Sequence, residues 1–97
     1  MEKDIDFKEL LDDRFDNLTK RRLSELDISK RTRNAIGRGM YGYIKGAMNE
    51  TRLIDVIIVI SKIGRDCFYG ETRGIGPKAI EEFERYLLLE TKLHNKN

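Results

Sequence analysis

Apolar residues near the start of the chain recur at the spacing expected of a helix. Asp6 and Glu9 have the spacing of a capping box, with aspartate in the place of the more usual serine or threonine. We therefore predict an acidic N-terminal helix within residues 5–22, with its regular part between Phe7 and Leu18. Apolar residues at intervals of three and four would form its inner face: Phe7, Leu10, Leu11, Phe15 and Leu18.

A second clear helix signal lies near the other end of the chain. Gly74-Ile75-Gly76 predicts a tight turn, and Pro77 suits the first position of a helix, where its missing N–H is tolerated. An apolar stripe then predicts a helix that extends to about Glu90 or Lys92. The stripe consists of Ala79, Ile80, Phe83 and Leu87.

A third helix start is predicted at Ser29, whose hydroxyl can accept a hydrogen bond from the first turn. The helix would continue to Ile36, where a glycine-rich stretch begins. Because glycine disfavours a helix by about 1 kcal/mol relative to alanine, we predict that Gly37 to Gly46 forms a mobile or irregular connector. Four glycines lie in this stretch: Gly37, Gly39, Gly42 and Gly46.

Residues 53–63 are mostly β-branched, which by propensity favours a buried strand. No other segment offers that strand a partner, and a helix that is apolar on all sides is a central buried one. Thr51 could also cap such a helix. We therefore predict a central helix from Leu53 to Ile63.

Together these elements predict an all-α fold, a compact domain of four to five helices that ends in a helix-hairpin-helix and carries an extra N-terminal helix. With 97 residues, 39% of them hydrophobic, the chain suits one domain spanning residues 1–97. Its main region would be residues 23–92, with an insertion around 37–50. No apolar run approaches the roughly 20 residues of a membrane-spanning helix. A lone cysteine, Cys67, fits a reducing compartment, so we expect a cytoplasmic protein.

The charges are segregated along the chain, although the net charge is only +2. Residues 1–16 carry seven acidic and three basic residues, whereas residues 17–47 carry eight basic and two acidic residues. A basic middle third beside an acidic start suggests one surface that faces a polyanion and a separate acidic patch. The same pattern could equally be a solvated helix face.

The turn at Gly74–Gly76 has the chemistry of an anion-binding element. Two glycines permit unusual backbone angles and a close approach, and the following helix presents free N–H groups and the positive end of its dipole. Lys78 lies in that first turn, where the dipole disfavours a cation. A phosphate would complete the site, although an ordinary loop before a helix remains the alternative.

Two stretches of the chain resemble the C-terminal domain of the bacterial RNA polymerase alpha subunit. Residues 26–36, LDISKRTRNAI, are similar to its first helix and the short apolar-x-apolar-Ser/Thr stretch before it. Residues 74–80, GIGPKAI, are similar to its helix-hairpin-helix turn. The likeness covers roughly residues 23–90, but the segment between these stretches is longer here, and Ala79 stands where the family commonly has a serine.

This resemblance implies a DNA-binding role for named residues. It implies that Arg31 and Asn34 contact the minor groove of AT-rich double-stranded DNA, and that Gly76 and Lys78 contact the backbone. Glu82 falls on a position that faces protein partners in that family. On the residues alone, Arg31 and Asn34 share one helix face, to which Arg38 adds if the helix continues, and Gly74 completes the turn. A setting in bacterial or phage transcription follows.

A protein-interaction module is the main alternative function. It would use the acidic helix 7–18 to bind RNA polymerase, a sigma factor or a transcription regulator. We expect no enzyme, cofactor or metal site, because the single histidine, His94, lies in a polar tail and no catalytic pair is visible. Tyr41 and Tyr43 could stack on unpaired bases, but packing against the domain is favoured.

Overall fold

A computed structural model describes residues 5–43 and 50–94, and the regular structure in these two ranges is helical. It confirms the predicted all-α fold, with five α-helices in the described residues. They are α1 (Asp16–Thr19), α2 (Lys30–Met40), α3 (Leu53–Ile63), α4 (Arg65–Glu71) and α5 (Pro77–His94). Three short 3₁₀ helices also occur before α2, at Glu9–Leu11, Asp13–Phe15 and Leu23–Glu25.

The predicted continuous helix from Phe7 to Leu18 is wrong, because the segment breaks at Asp12. This residue adopts an extended conformation, and its carboxylate accepts a hydrogen bond from the Arg14 N–H, which starts a new 3₁₀ turn. The expected inward face is largely confirmed despite the break, but Leu11 is 40% exposed. Four of the five apolar residues are buried: Phe7, Leu10, Phe15 and Leu18.

Helix α2 starts where the sequence predicts, since the Ser29 hydroxyl accepts a hydrogen bond from the Thr32 N–H. The predicted connector is wrong for its first residues, because α2 continues through the glycines to Met40. Gly39 packs so closely on the end of α4 that a Cβ there would lie 2.3 Å from the Thr72 hydroxyl oxygen. Gly39 thus permits close helix packing. Residues 44–49 of the predicted insertion lie outside the described residues.

Helix α3 confirms the choice of a central helix over a strand. Its first turn is closed by Asp55, whose carboxylate accepts a hydrogen bond from the Arg52 N–H. The chain that enters α3 pairs with residues 21–23 through two backbone hydrogen bonds, of 2.7 and 2.9 Å. The buried side chains of α3, which are at most 2% exposed, are Leu53, Val56, Ile57 and Ile60.

Helices α4 and α5 form the predicted pair of helices joined by a short turn. Helix α4 was not delimited from the sequence. The Arg65 guanidinium donates two hydrogen bonds to the Glu84 carboxylate, at 2.9 and 2.8 Å, and the Tyr69 hydroxyl donates a third at 2.8 Å. Burial and the neighbouring Glu84 carboxylate raise the pKa of Tyr69 well above its usual range. These contacts fasten α4 to α5.

The core gathers apolar side chains from every one of these elements. Phe15, Phe68 and Phe83 are among its largest fully buried members. At its edge, one Arg21 nitrogen donates hydrogen bonds to the Tyr86 hydroxyl and the Glu90 carboxylate, both at 2.8 Å. The N-terminal segment is thereby fixed to α5. This arrangement leaves the outer face of α2 and the turn before α5 on the surface.

Candidate nucleic-acid interface

The outer face of α2 carries a polar stripe. Arg31 and Arg38 are exposed, and Asn34 between them is partly exposed. Their spacings of three and four residues place them on one side of the helix, opposite the buried Ile36. At a rise of 1.5 Å per residue, Arg31 and Arg38 are separated by about 10 Å along the helix axis.

Arg38 joins this stripe to the turn before α5. Its Nε donates a hydrogen bond to the Arg73 carbonyl oxygen at 3.2 Å. Its guanidinium also lies against Gly74, because a Cβ built on that glycine would be 2.9 Å from Nη2. Two predicted site residues, Arg38 and Gly74, therefore meet with Arg73 near one edge of α2, and Arg31 and Asn34 continue the stripe along the helix. We call this the α2–hairpin surface; it consists of Arg31, Asn34, Arg38, Arg73 and Gly74.

The two glycines of the turn have different structural roles. Gly74 has a φ of 78°, in the left-handed region that side chains disfavour. Gly76 has no positive φ, and a Cβ there would meet no atom within 4 Å. Unusual backbone angles were expected of both glycines; that expectation is confirmed for Gly74 and is wrong for Gly76. Open space at Gly76 is still compatible with close approach of a backbone. Ile75 between them packs against the core.

Glu82 has an intramolecular role at the start of α2. Its carboxylate accepts hydrogen bonds from the Ser29 N–H at 2.7 Å, from the Ser29 hydroxyl at 2.9 Å and from the Thr32 hydroxyl. These hydrogen bonds from Thr32 and Ser29 lower the pKa of Glu82, so the charged form is favoured. Glu82 thus fastens α5 to α2, a contact that sequence reasoning missed. Its contact with a protein partner stays a prediction.

Lys78 lies to one side of the α2–hairpin surface. It lines an open groove along α5 together with four carboxylate residues and Arg85. Lys78 forms no ion pair with the neighbouring carboxylates Glu81 and Glu82. Glu81 pairs with Arg85 at 2.8 Å, and Glu82 accepts hydrogen bonds from Ser29 and Thr32. Lys78 therefore flanks the surface instead of sitting at its centre. The four groove carboxylates are Asp27, Glu81, Glu82 and Glu90.

The arginines of this surface lack the ion pairs that four other arginines form, namely Arg14, Arg21, Arg65 and Arg85. Arg21 and Arg65 each contact a carboxylate at 2.8 Å. Within residues 5–43 and 50–94, Arg31, Arg38 and Arg73 form no ion pair. Arg38 contacts Arg73, and Arg31 lies about 10 Å from Arg38 along α2. Positive charges without an ion-pair partner at this spacing attract anions.

Arg73 is a functional candidate that sequence reasoning missed. It is exposed, its carbonyl holds the Arg38 side chain, and it stands directly before Gly74. A cation next to a predicted phosphate-binding turn was a usable signal. The position of Arg73 relative to α2 could not be predicted from the sequence, because it depends on how α4 and α2 pack.

Other kinds of site are not seen in the described ranges. No group of three or more histidine, cysteine, aspartate or glutamate residues there could hold a metal ion. Among the same residues, no helix is long and apolar enough to cross a membrane. No family model, no curated protein and no solved structure matches the chain. The assignment of a function therefore rests on the geometry of the surface itself.

Proposed function

We propose that this protein is a non-catalytic DNA-binding module that binds AT-rich duplex DNA through the α2–hairpin surface. The proposal rests mainly on the hydrogen bond from the Arg38 side chain to the Arg73 carbonyl oxygen. This hydrogen bond brings together two basic segments whose arginines form no ion pair among the described residues. One segment lies on the rigid helix α2, and the other enters the turn before α5. Together they present three arginines with no carboxylate partner among the described residues.

The DNA backbone is a suitable ligand for such a surface. Duplex DNA carries one negative charge per 1.7 Å or so of its axis, so several phosphates fall within reach of arginines about 10 Å apart. Arginine donates hydrogen bonds in a planar fork that matches phosphate oxygens. Lys78, at the flank of the surface, would add a further phosphate contact.

The AT-rich preference is assigned to Arg31 and Asn34. Arg31 is exposed near the start of α2, and Asn34 follows one turn later on the same stripe. A narrow AT-rich minor groove has an enhanced negative potential that rewards an inserted arginine. The resemblance of residues 26–36 to the alpha-subunit domain agrees with this placement. The proposed setting is bacterial or phage transcription in the cytoplasm.

The test compares Arg31→Ala with Arg85→Ala, which removes the same charge from a side chain paired with Glu81 outside the surface. Affinities for AT-rich and GC-rich duplexes are measured by fluorescence anisotropy. With about four phosphates neutralised, wild-type affinity should fall by about 150-fold between 50 and 200 mM salt. Arg31→Ala should lose about tenfold more affinity for the AT-rich than for the GC-rich duplex.

Two further variants complete this experiment. Lys78→Ala should weaken both duplexes about equally, because a phosphate contact carries no sequence information. Arg85→Ala should change affinity only slightly. No salt-dependent binding of the wild type to either duplex, or equal losses in Arg31→Ala and Arg85→Ala, would refute the proposal.

One feature favours a second candidate, a protein-interaction module. Leu11 is 40% exposed and is followed by the exposed acidic residues Asp12 and Asp13. An exposed leucine beside carboxylates fits a basic, partly apolar surface, such as one on RNA polymerase, a sigma factor or a regulator. Leu11→Ser would abolish such binding without changing the affinity for DNA.

A further inference from the structure

Tyr41 is the most exposed large apolar side chain in the described part of the molecule. It directly follows the last residue of α2, and 85% of it is accessible to solvent. Packing against the domain, which the sequence favoured for this tyrosine, is therefore wrong. The next residue, Gly42, adds no side chain beside it. Tyr41 thus offers an aromatic surface to a ligand.

The position of Tyr41 continues the stripe of the α2–hairpin surface. It follows Arg38 by three residues and keeps helical backbone angles, with φ −56° and ψ −35°. Its N–H still donates a hydrogen bond to the Arg38 carbonyl at 3.2 Å. Along the helix axis, Tyr41 lies about 15 Å from Arg31, which is the length of roughly four to five nucleotides of one strand.

Tyr43 provides a contrast within the same short segment. It lines a groove on α3 with Ile58 and Lys62 among others, and 47% of it is exposed. Desolvation and the nearby Glu71 carboxylate raise the pKa of Tyr43. Tyr43 therefore lies in a groove with side chains of α3, whereas Tyr41 continues the side of α2 that carries Arg31 and Arg38.

We infer that Tyr41 stacks on an unpaired base, so that the protein prefers duplex DNA that adjoins unpaired nucleotides. This inference rests on the proposed function, because α2 must already lie along the DNA. The bases inside a duplex are stacked on each other and leave no face free, whereas a single-stranded extension offers one. Arg38, one turn before, would hold a phosphate of the same strand while the ring covers the base.

The test uses an AT-rich duplex that carries a short extension of three thymine nucleotides, on either end in separate probes. A matched duplex carries three abasic nucleotides, which have the same charge but no base. Anisotropy titrations measure how many times more tightly the thymine probe binds. Stacking of one base should give wild-type protein a ratio of at least about fivefold.

Three variants test whether Tyr41 causes the preference for the thymine probe. Tyr41→Ala should reduce the ratio to about one while retaining the affinity for blunt duplex, and Tyr41→Phe should keep most of the ratio. Tyr43→Ala is the matched control and should behave as wild type. A wild-type ratio of one, or a ratio that survives Tyr41→Ala, overturns the inference and leaves the proposed function intact. Absence of binding to any duplex overturns the proposed function, and the inference with it.

Discussion

Replacing Gly39 by alanine tests the packing that keeps α2 helical through its glycines. The added Cβ would lie 2.3 Å from the Thr72 hydroxyl oxygen and 3.0 Å from Phe68 Cζ. Neither neighbour can withdraw easily, because Phe68 is 1% exposed and the buried Thr72 hydroxyl donates a hydrogen bond of 2.7 Å to the Phe68 carbonyl. The substitution therefore forces a shift between α2 and the end of α4.

Opposing effects determine how much Gly39→Ala changes the free energy of unfolding. Alanine stabilises a helix interior by about 1 kcal/mol relative to glycine. Overpacking a tight contact costs about 1–3 kcal/mol, and a Thr72 hydroxyl rotated away from its acceptor costs about 1–3 kcal/mol more. We expect Gly39→Ala to lower the free energy of unfolding by about 3 kcal/mol, which is the two costs at their midpoints less the gain in helix propensity.

Urea denaturation followed by circular dichroism measures this change. The matched control is Gly70→Ala, because Gly70 is a helical glycine in α4 whose added Cβ would meet nothing within 4 Å. That variant should gain up to about 1 kcal/mol. If Gly39→Ala were as stable as wild type, the close packing would be refuted, and residues 37–40 would behave as the connector that the sequence predicts.

Further predictions concern the turn and the contact between α5 and α2. Gly74→Ala should destabilise the protein by about 1–2 kcal/mol, because of its positive φ, whereas Gly76→Ala should have little effect in the same urea assay; equal losses would contradict the assigned turn. Glu82→Ala should cost about 1–2 kcal/mol, since the hydrogen bonds with Ser29 and Thr32 disappear. Because the pKa of Glu82 is lowered, its contribution is present above its ordinary pKa of 4.5 and is lost as the pH falls through the folded value. The stability of wild type should therefore fall more steeply in this acid range than that of Glu82→Ala, and parallel curves would contradict this role.

Much of the fold could be predicted because its signals are local. Ser29 caps α2 with its own side chain, and Pro77 starts α5. The absence of a partner strand identified α3 as a helix despite its β-branched residues. The signals at Ser29 and Pro77 act within a few residues, where capping and propensity decide the structure, whereas the choice for α3 required a comparison with the whole chain.

One error arises where a contact distant in sequence decides the structure, and another where a local contact competes with the helix. The prediction for the glycines of α2 relied on helix propensity. Gly39 instead allows α2 to pack closely against Thr72, which lies 33 residues further along the chain. The N-terminal break came from a competing local choice, since the Asp12 carboxylate caps a new turn within the apolar pattern. Residues with the period of a helix can thus be buried without one continuous helix.

The candidate site was predicted in part. The sequence placed Arg31, Asn34 and Arg38 on one face, and the structure extends α2 far enough to include Arg38. The contact of Arg38 with Arg73 required knowledge of how α2 packs on α4, and the use of Glu82 inside the molecule required knowledge of how α2 packs on α5. Side-chain partners of this kind cannot be read from spacing along one helix.

An amide NMR titration with an AT-rich duplex at low salt tests the central claim most directly. The account predicts that the largest shift changes fall on two separate segments, residues 31–38 and residues 73–78, and that they fade together as salt is added. The N-terminal segment, residues 9–19, should remain unchanged. Shift changes confined to that segment, or none at all at saturating DNA, would contradict the assignment of the α2–hairpin surface as a DNA-binding site.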